Sequence, residues 1–220
     1  MKIDTCIFDL DGTLLDTITT ITYYVNETLV SYGKRKLTLE ECKSFVGNGA
    51  VKLMRRAFDA VGDEGVCFEE ALDAYIANYD TDPYYLTAPY PGIPALLSRL
   101  KSRGIKLAVL SNKQDSSTKS VVEHFFPGVF DCVMGGIDGV PLKPDPSVAR
   151  MILDKLGSTA ERTAWIGDTP VDVKTGQNLG AALTLGVSWG FRDREELIGA
   201  GADVIVDTAE QILSEVGAVV

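Results

Sequence analysis

The sequence predicts an α/β protein: a Rossmann-like, doubly wound parallel sheet with an inserted helical cap domain. Two observations indicate this fold class. From residue 93 onward, apolar strand-like runs alternate with helical patterns across short connections, as in parallel sheets covered by helices. Residues 17–86 instead show helical spacing without a convincing strand. We therefore expect an α/β core domain of residues 1–16 plus 87–220 and a helical cap domain of residues 17–86.

The first expected strand covers residues 3–8, an apolar run rich in β-branched and aromatic side chains. It ends in Asp9 and Asp11, with Gly12 directly after them. Two carboxylates this close repel each other and are costly to desolvate unless a cation lies between them, which favours a Mg²⁺ site. Asp-Gly between apolar residues is also typical of a β-hairpin turn. Because the pattern after Asp16 is helical, we expect a strand–loop–helix unit instead.

The expected cap contains stretches with apolar residues at helical spacing, which begin near Ile18, Val51 and Phe68. Three prolines and a glycine punctuate residues 82–92, so we expect a linker there. The Gly-Asn-Gly turn around Asn48 is the expected tip of the cap, because glycines let a backbone approach a ligand closely. An ordinary connection between two helices, with no contact to a ligand, explains this Gly-Asn-Gly segment equally well.

The core pattern continues to residue 185. Strands are expected at residues 105–110, 129–134, 164–166 and 182–185. Helices are expected at residues 93–103, 116–126, 146–156 and 171–179.

Polar residues suited to phosphate or metal chemistry follow these strands. Ser111 and Asn112 come after one strand, although such residues are often only turn formers. Lys143 lies in a proline-rich loop, where a solvated lysine is the simple alternative. Asp168 and Asp172 begin a helix, where a helix cap also explains the first of them. These individual explanations do not account for the fact that four such clusters follow four separate strands. Parallel neighbouring strands would bring all four clusters to one edge of the sheet.

Composition limits the classes of partner. There are 21 Lys and Arg residues against 31 Asp and Glu residues, and the net charge of −10 repels nucleic acid and anionic membranes. The start of the chain lacks the apolar stretch of a signal peptide, and no run approaches the length of a membrane span, so a cytoplasmic protein is expected. The four cysteines are widely spaced, which disfavours disulfides and zinc sites, and the single histidine, His124, is interpreted as structural.

Taken together, the polar clusters resemble the four motifs of the haloacid dehalogenase (HAD) superfamily, in order and at suitable separation. In chain order these are Asp9-Leu10-Asp11-Gly12-Thr13, Ser111-Asn112, Lys143 and Gly167-Asp168 with Asp172. Other features resemble the phosphoglycolate phosphatase branch: Gly47-Asn48-Gly49, Pro91-Gly92-Ile93, Ser111-Asn112-Lys113 and Gly190-Phe191.

The resemblance implies a Mg²⁺-dependent phosphatase. Asp9 would attack phosphorus and become an aspartyl phosphate, while Asp11 would protonate the leaving group and then activate water. Mg²⁺ would be held by Asp9, the backbone carbonyl of Asp11 and Asp168, with Asp172 supporting these ligands. The residues implied to bind phosphate or the rest of the substrate are Ser111, Asn112, Lys143, Asn48 and, through backbone amides, Leu10 and Asp11. The expected partner is a small phosphorylated metabolite, phosphoglycolate-like, and the expected assembly is a monomer or homodimer.

Other functions use similar residues. A receiver-like signalling domain shares the parallel sheet, the clustered acids and Mg²⁺, but it would lack a large cap. A haloacid dehalogenase would not need Asp11 as an acid. A sugar-phosphate mutase similar to β-phosphoglucomutase and an inorganic pyrophosphatase of the same fold stay open, as do nucleotide monophosphates as substrates.

A few further side chains have a plain interpretation. Arg55 and Arg56 are positioned to meet a substrate carboxylate, but a solvated helix face is the simpler explanation. Packing is the simplest role for the aromatic residues Tyr75, Tyr79, Trp165 and Trp189.

Overall fold

A six-stranded sheet forms the centre of the computed structural model, which describes residues 2–218. The strands of the chain are β1 (Thr5–Phe8), β2 (Leu15–Asp16), β3 (Ala88–Pro89), β4 (Lys106–Gln114), β5 (Cys132–Gly136), β6 (Thr163–Gly167), β7 (Leu183–Val187) and β8 (Val204–Val206). The helices are α1 (Ile18–Ser31), α2 (Leu39–Phe45), α3 (Ala50–Val61), α4 (Phe68–Thr81), α5 (Ile93–Ser102), α6 (Asp115–Phe125), α7 (Ser147–Leu156), α8 (Pro170–Leu179), α9 (Arg194–Ala200) and α10 (Ala209–Ala218). A short 3₁₀ helix, Ala160–Arg162, precedes β6. Within residues 2–218, none of the helices has the length and apolarity needed to cross a membrane.

The strand order of the large sheet is β5-β4-β1-β6-β7-β8, and all the pairings are parallel. Strand β1 lies between β4 and β6, with Phe8 opposite Val109 on one side and Ile166 on the other. The carboxyl ends of these three strands therefore meet at one edge of the sheet. The predicted α/β fold class with a parallel sheet is confirmed.

The sheet is covered on both faces, which explains why its strands read as continuous apolar runs. Successive side chains of a strand point to opposite faces. Accordingly, Cys6 and Phe8 pack in one core cluster with α5 and α10 residues such as Leu97 and Ile212, and Ile7 packs in another with α7 residues such as Ile152. All three β1 side chains are completely buried.

The helices α1 to α4 have an apolar cluster of their own, to which α1 contributes Val25 and Leu29 and α3 contributes Met54 and Phe58. The two chain segments that join these helices to the sheet pair with each other, because β2 and β3 form a short antiparallel ladder in which Asp16 lies opposite Ala88. We propose on this basis that α1 to α4, residues 17–86, act as one cap domain.

Several elements differ from the sequence expectations. Strand β4 extends to Gln114, four residues beyond the predicted end, and β5 and β7 are displaced toward the carboxyl side of their predicted ranges. The sequence patterns did not assign β8, α9 and α10, and they did not predict the β2–β3 ladder. Two-residue and three-residue strands are too short to show a period of two, which is why apolar alternation does not identify them.

Candidate active site

Three carboxylates meet at the carboxyl edge of the sheet. Asp9 directly follows β1, Asp168 directly follows β6, and Asp172 lies in the first turn of α8. Oxygen atoms of all three lie within 4.8 Å of one another, and all three residues are buried. The adjacency of β1 and β6 produces this cluster, as expected from the pattern of polar strand ends.

Lys143 lies between two of these carboxylates. Its Nζ donates to Oδ1 of Asp9 at 2.6 Å and to Oδ1 of Asp172 at 2.7 Å. Burial alone would lower the pKa of Lys143, but the charges of Asp172 and Asp9 outweigh burial and raise it. Asn112 fixes the lysine backbone, since its Oδ1 accepts from the Lys143 N–H at 2.8 Å and its Nδ2 donates to the Lys143 carbonyl at 3.2 Å.

The start of α8 orients Asp172. Thr169 is the N-cap residue and forms a capping box with Asp172, the third residue of the helix. Pro170 is the first residue of the helix, a position that suits proline. Oδ2 of Asp172 accepts from the Thr169 hydroxyl at 2.6 Å and from the Thr169 N–H at 3.1 Å. Since Lys143 bonds to Oδ1, both oxygens of Asp172 are held by protein groups.

Two loops hold Asp168. Its Oδ1 accepts from the Thr13 hydroxyl at 3.1 Å, and its Oδ2 accepts from the Phe191 N–H at 2.8 Å. Gly12 and Gly190 allow this close packing, because a Cβ atom at either position would lie 2.3 Å from an Asp168 side-chain atom. Gly12 also has a φ of +89°, a conformation that side chains disfavour. These contacts explain the Asp-Gly pair after β1.

The carboxylate cluster is short of positive charge. It contains three carboxylates, of which Asp9 and Asp172 pair with the ammonium group of Lys143, while Asp168 accepts from the neutral donors of Thr13 and Phe191. Burial and then the Asp172 charge raise the pKa of Asp168 to about 7, and the same two causes hold the pKa of Asp9 well above its usual range. A divalent cation would neutralise the excess. The all-oxygen donor set fits a hard cation such as Mg²⁺, whereas zinc sites usually contain His or Cys.

Asp11 is paired with Lys113, a residue that the sequence interpretation did not include in the site. Lys113 Nζ lies 2.6 and 2.9 Å from the two carboxylate oxygens of Asp11 and 3.0 Å from the hydroxyl of Tyr79 on α4. The sequence predicts that this strand ends at residue 110, so it provides no local signal that would place the Lys113 side chain on Asp11.

A cavity of about 100 Å³ lies between Asp9 of the carboxylate cluster and the helices α1, α3 and α4. Its lining on the core side includes Asp9, Asp11, Ser111, Asn112, Lys113 and Lys143. Its lining on the opposite side includes Ile21, Gly47, Leu53, Tyr75, Ile76 and Tyr79. Five of the residues expected to act on substrate, Asp9, Asp11, Ser111, Asn112 and Lys143, therefore face one space.

Two expected substrate-binding side chains are engaged elsewhere. Both donors of the Asn112 side chain are used, one on Lys143 and one on the Gly47 carbonyl at 3.0 Å. Asn48 does not line the cavity, and its Oδ1 instead accepts from Arg56 at 3.0 Å. Leu10 is completely buried and is also absent from the lining, so any contact with substrate would come from its backbone.

Arg192, another residue outside the sequence expectations, joins the core to α2. Its guanidinium donates to the carbonyls of Lys43, Ser44 and Val46 at 2.8 to 3.1 Å. The carbonyls at a helix C-terminus lack partners within the helix, so a guanidinium satisfies them well. Together with the Asn112–Gly47 bond, this contact holds the turn around Asn48 against the edge of the sheet.

The other side chains considered make no direct hydrogen bond to Asp9, Asp168 or Asp172 within the described residues. Arg55 stacks on Phe68, with 3.5 Å between the guanidinium carbon and the ring centroid. His124 is on the surface and stacks on Tyr84. The cysteines are free, as expected. Trp165 is a core residue, whereas Trp189 also donates to the Thr13 carbonyl, and Tyr75 and Tyr79 line the cavity in addition to packing.

Comparison with known proteins gives a consistent result. Residues 6–185 match the family model described as haloacid dehalogenase-like hydrolase. A phosphoglycolate phosphatase of Rhodospirillum rubrum is 35% identical over 210 residues, which cover 91% of this chain and 86% of that protein. The corresponding protein of Aquifex aeolicus is 32% identical and covers 84% of both chains. The crystal structure of a predicted phosphatase from Clostridium acetobutylicum is 29% identical, with a TM-score of 0.86 over 98% of this chain and 99% of that one.

Proposed function

Since the chain belongs to the haloacid dehalogenase-like hydrolase family and is a phosphatase, we propose that it hydrolyses small phosphomonoesters with Mg²⁺ and through a phosphorylated Asp9. The observation that carries this proposal is the cluster of Asp9, Asp168 and Asp172, in which Lys143 pairs with Asp9 and Asp172. Asp9 and Lys143 line the cavity. The cluster combines a nucleophile, a cation site and a fixed positive charge at one edge of the sheet.

The proposed Mg²⁺ ligands are Asp9, Asp168 and the backbone carbonyl of Asp11, with water in the remaining positions. Asp172 is proposed to support them from outside, through its hydrogen bonds from Thr169 and from Lys143, the lysine that also contacts Asp9. The ion would neutralise charge on the phosphoryl oxygens and on Asp9.

In the first step, an oxygen of Asp9 forms a bond to phosphorus as the bond to the leaving oxygen breaks. Lys143 contacts Oδ1 of Asp9, so Oδ2 is the oxygen that we assign to the attack. Lys143 and the hydroxyl of Ser111 would hold the phosphoryl oxygens, where charge neutralisation and positioning supply most of the catalysis. The backbone amides of Leu10, Asp11 and Asn112 are proposed to complete this set.

Asp11 is proposed to transfer the protons. It must carry a proton into the first step, where it gives that proton to the departing alkoxide and becomes the carboxylate that pairs with Lys113. In the second step it removes a proton from a water molecule, whose oxygen attacks phosphorus and releases inorganic phosphate and free Asp9. The cavity extends from Asp11 to the helices α1, α3 and α4, so these helices are proposed to cover the leaving group and exclude bulk water.

The direct test is a steady-state assay with Mg²⁺ against phosphoglycolate, sugar phosphates, pyrophosphate and nucleotide monophosphates. Phosphoglycolate is the first compound to test because it is the substrate named for the relatives. Hydrolysis that disappears with EDTA and returns with Mg²⁺ would support the proposal. Isomerisation of a sugar phosphate without release of phosphate, or no turnover of any ester, would contradict it.

Stability should depend on pH in the metal-free protein, with a negative slope between about pH 4 and pH 7. The folded-state pKa of Asp168 is about 7, above its usual 3.8. Over that interval the folded state therefore binds more protons than the unfolded state, and its stability falls as the pH rises. Mg²⁺ should reverse the loss at neutral pH, since it takes the place of the protons.

Thermal unfolding in EDTA and in Mg²⁺, at acid and neutral pH, measures both effects. Asp168→Asn removes one carboxylate and one proposed ligand, so it should flatten the pH slope and abolish the rise in Tm with Mg²⁺. An equal Mg²⁺ response in this variant would place the cation elsewhere.

A further inference from the structure

A chain of three side chains links the helical cap to Asp11. Tyr79, near the end of α4, accepts a hydrogen bond from Lys113 of β4, and Lys113 donates to both oxygens of Asp11. The side chains of Lys113 and Asp11 are only 11% and 18% exposed. The middle member is on the core sheet, so the contact spans the two parts of the molecule.

All the hydrogen-bond donors of the Lys113 ammonium are used in this arrangement. An ammonium has three N–H donors, and the three contacts of Lys113 use them on the two Asp11 oxygens and the Tyr79 hydroxyl. Lysine is long and flexible, so two contacts to one carboxylate would leave it free to swing. The Tyr79 hydroxyl is the contact that comes from a different direction and restricts this motion.

We propose that Tyr79 is a positioning residue for Asp11 and acts through Lys113. Docking of α4 then brings the hydroxyl that completes the shell of Lys113, so Asp11 is held for proton transfer only when the helices cover the cavity. This inference rests on the proposed function, in which Asp11 protonates the leaving group. Tyr79 has no contact with the phosphoryl group in this role.

A second contact of α4 with the core, this time with α6, separates positioning from simple docking. Asp80, the next residue of α4, accepts a hydrogen bond from Ser117 of α6 at 2.6 Å. This bond joins the helix to the core without touching Asp11 or Lys113. Ser117→Ala is therefore the matched control for loss of one hydrogen bond at this interface.

Tyr79→Phe tests the proposal, with two substrates that differ in their need for a proton. The ring remains, along with its contact 4.8 Å below the Lys113 ammonium, and only the hydroxyl is lost. Alkyl phosphates release a poor leaving group that needs protonation, whereas p-nitrophenyl phosphate releases a stable anion. We compare kcat/KM, which reports transfer to Asp9 and departure of the alcohol, because kcat also contains the hydrolysis step that both substrates share. We expect kcat/KM for an alkyl phosphate to fall ~10-fold more than kcat/KM for p-nitrophenyl phosphate, a part of the full acid–base effect.

Ser117→Ala should affect the two substrates equally. In Lys113→Met the loss for the alkyl phosphate should again exceed the loss for p-nitrophenyl phosphate. Adding Tyr79→Phe to this variant should not widen the difference between the two losses, since residues that act as one unit are not additive. If Lys113→Met fails to fold, as judged by circular dichroism, the comparison of Tyr79→Phe with Ser117→Ala decides.

Equal losses for both substrates in Tyr79→Phe, no loss, or the same selectivity change in Ser117→Ala would each overturn the inference. These outcomes differ from failure of the proposed function, which would appear as a wild-type protein that hydrolyses no phosphate ester.

Discussion

Replacing Asp9 with asparagine is expected to lower kcat by a factor on the order of 10⁴ or more. An amide is a poor nucleophile and a weaker ligand for a cation than a carboxylate, so the change removes both proposed roles. The fold should persist, because the substitution keeps the shape of the side chain and removes one of three buried carboxylates that repel one another. Steady-state assays of phosphate release measure the loss.

The covalent step can be observed directly. Acid-quenched wild-type enzyme should carry a phosphoryl adduct on the peptide that contains Asp9, detectable by mass spectrometry, and the variant should not. Asp16→Asn is the matched control, because Asp16 is an exposed carboxylate in the same segment. Near-normal phosphatase activity of Asp9→Asn would rule out the covalent mechanism.

Replacing Lys143 with methionine is expected to cause the largest loss of stability. The change leaves Asp9 and Asp172 buried without the ammonium that lies 2.6 and 2.7 Å from them. Removing one partner from a buried ion pair costs about 3–5 kcal/mol, because the remaining charge is desolvated and unpaired. For a chain of this size, that corresponds to a fall in Tm on the order of 10 °C.

Thermal unfolding in EDTA at neutral pH is the appropriate measurement, and the deficit should shrink in acid, where the carboxylates are protonated. Lys174→Met provides the control, since Lys174 is exposed on α8, two residues beyond Asp172. A Lys143→Met protein as stable as wild type under these conditions would show that the ion pairs contribute no net stability. Activity should also be lost, because the proposed phosphoryl site loses its fixed cation.

The sheet and the carboxylate cluster were predictable from local patterns. Apolar runs that end in acids, and the alternation of strands with helices, are properties of neighbouring residues. The rule that ligands lie at the carboxyl ends of parallel strands then places Asp9 beside Asp168, as the structure does.

The contacts between the helices α1 to α4 and the core sheet were not predictable in the same way. Lys113 meets Asp11 across 102 positions of sequence and Tyr79 across 34, and neither distance is encoded in a local pattern. The hydrogen bond from Asn112 to the Gly47 carbonyl and those from Arg192 to α2 likewise depend on how the helices pack on the sheet. The flanking glycines suggested that Asn48 contacts a substrate. In the structure its side-chain oxygen instead accepts a hydrogen bond from Arg56 of α3.

The β2–β3 ladder has a consequence for the order in which the chain assembles. The central pairing joins Thr5 of β1 to Lys106 of β4, so it must close a long loop and bear the entropy of doing so. Once β2 and β3 are paired, only residues 9–16 and 88–105 lie between the two central strands, roughly a four-fold shorter path worth ~1 kcal/mol of loop entropy. When the ladder forms first, the entropy of closing residues 17–87 is borne by the ladder and by the packing of α1 to α4, and not by the central pairing.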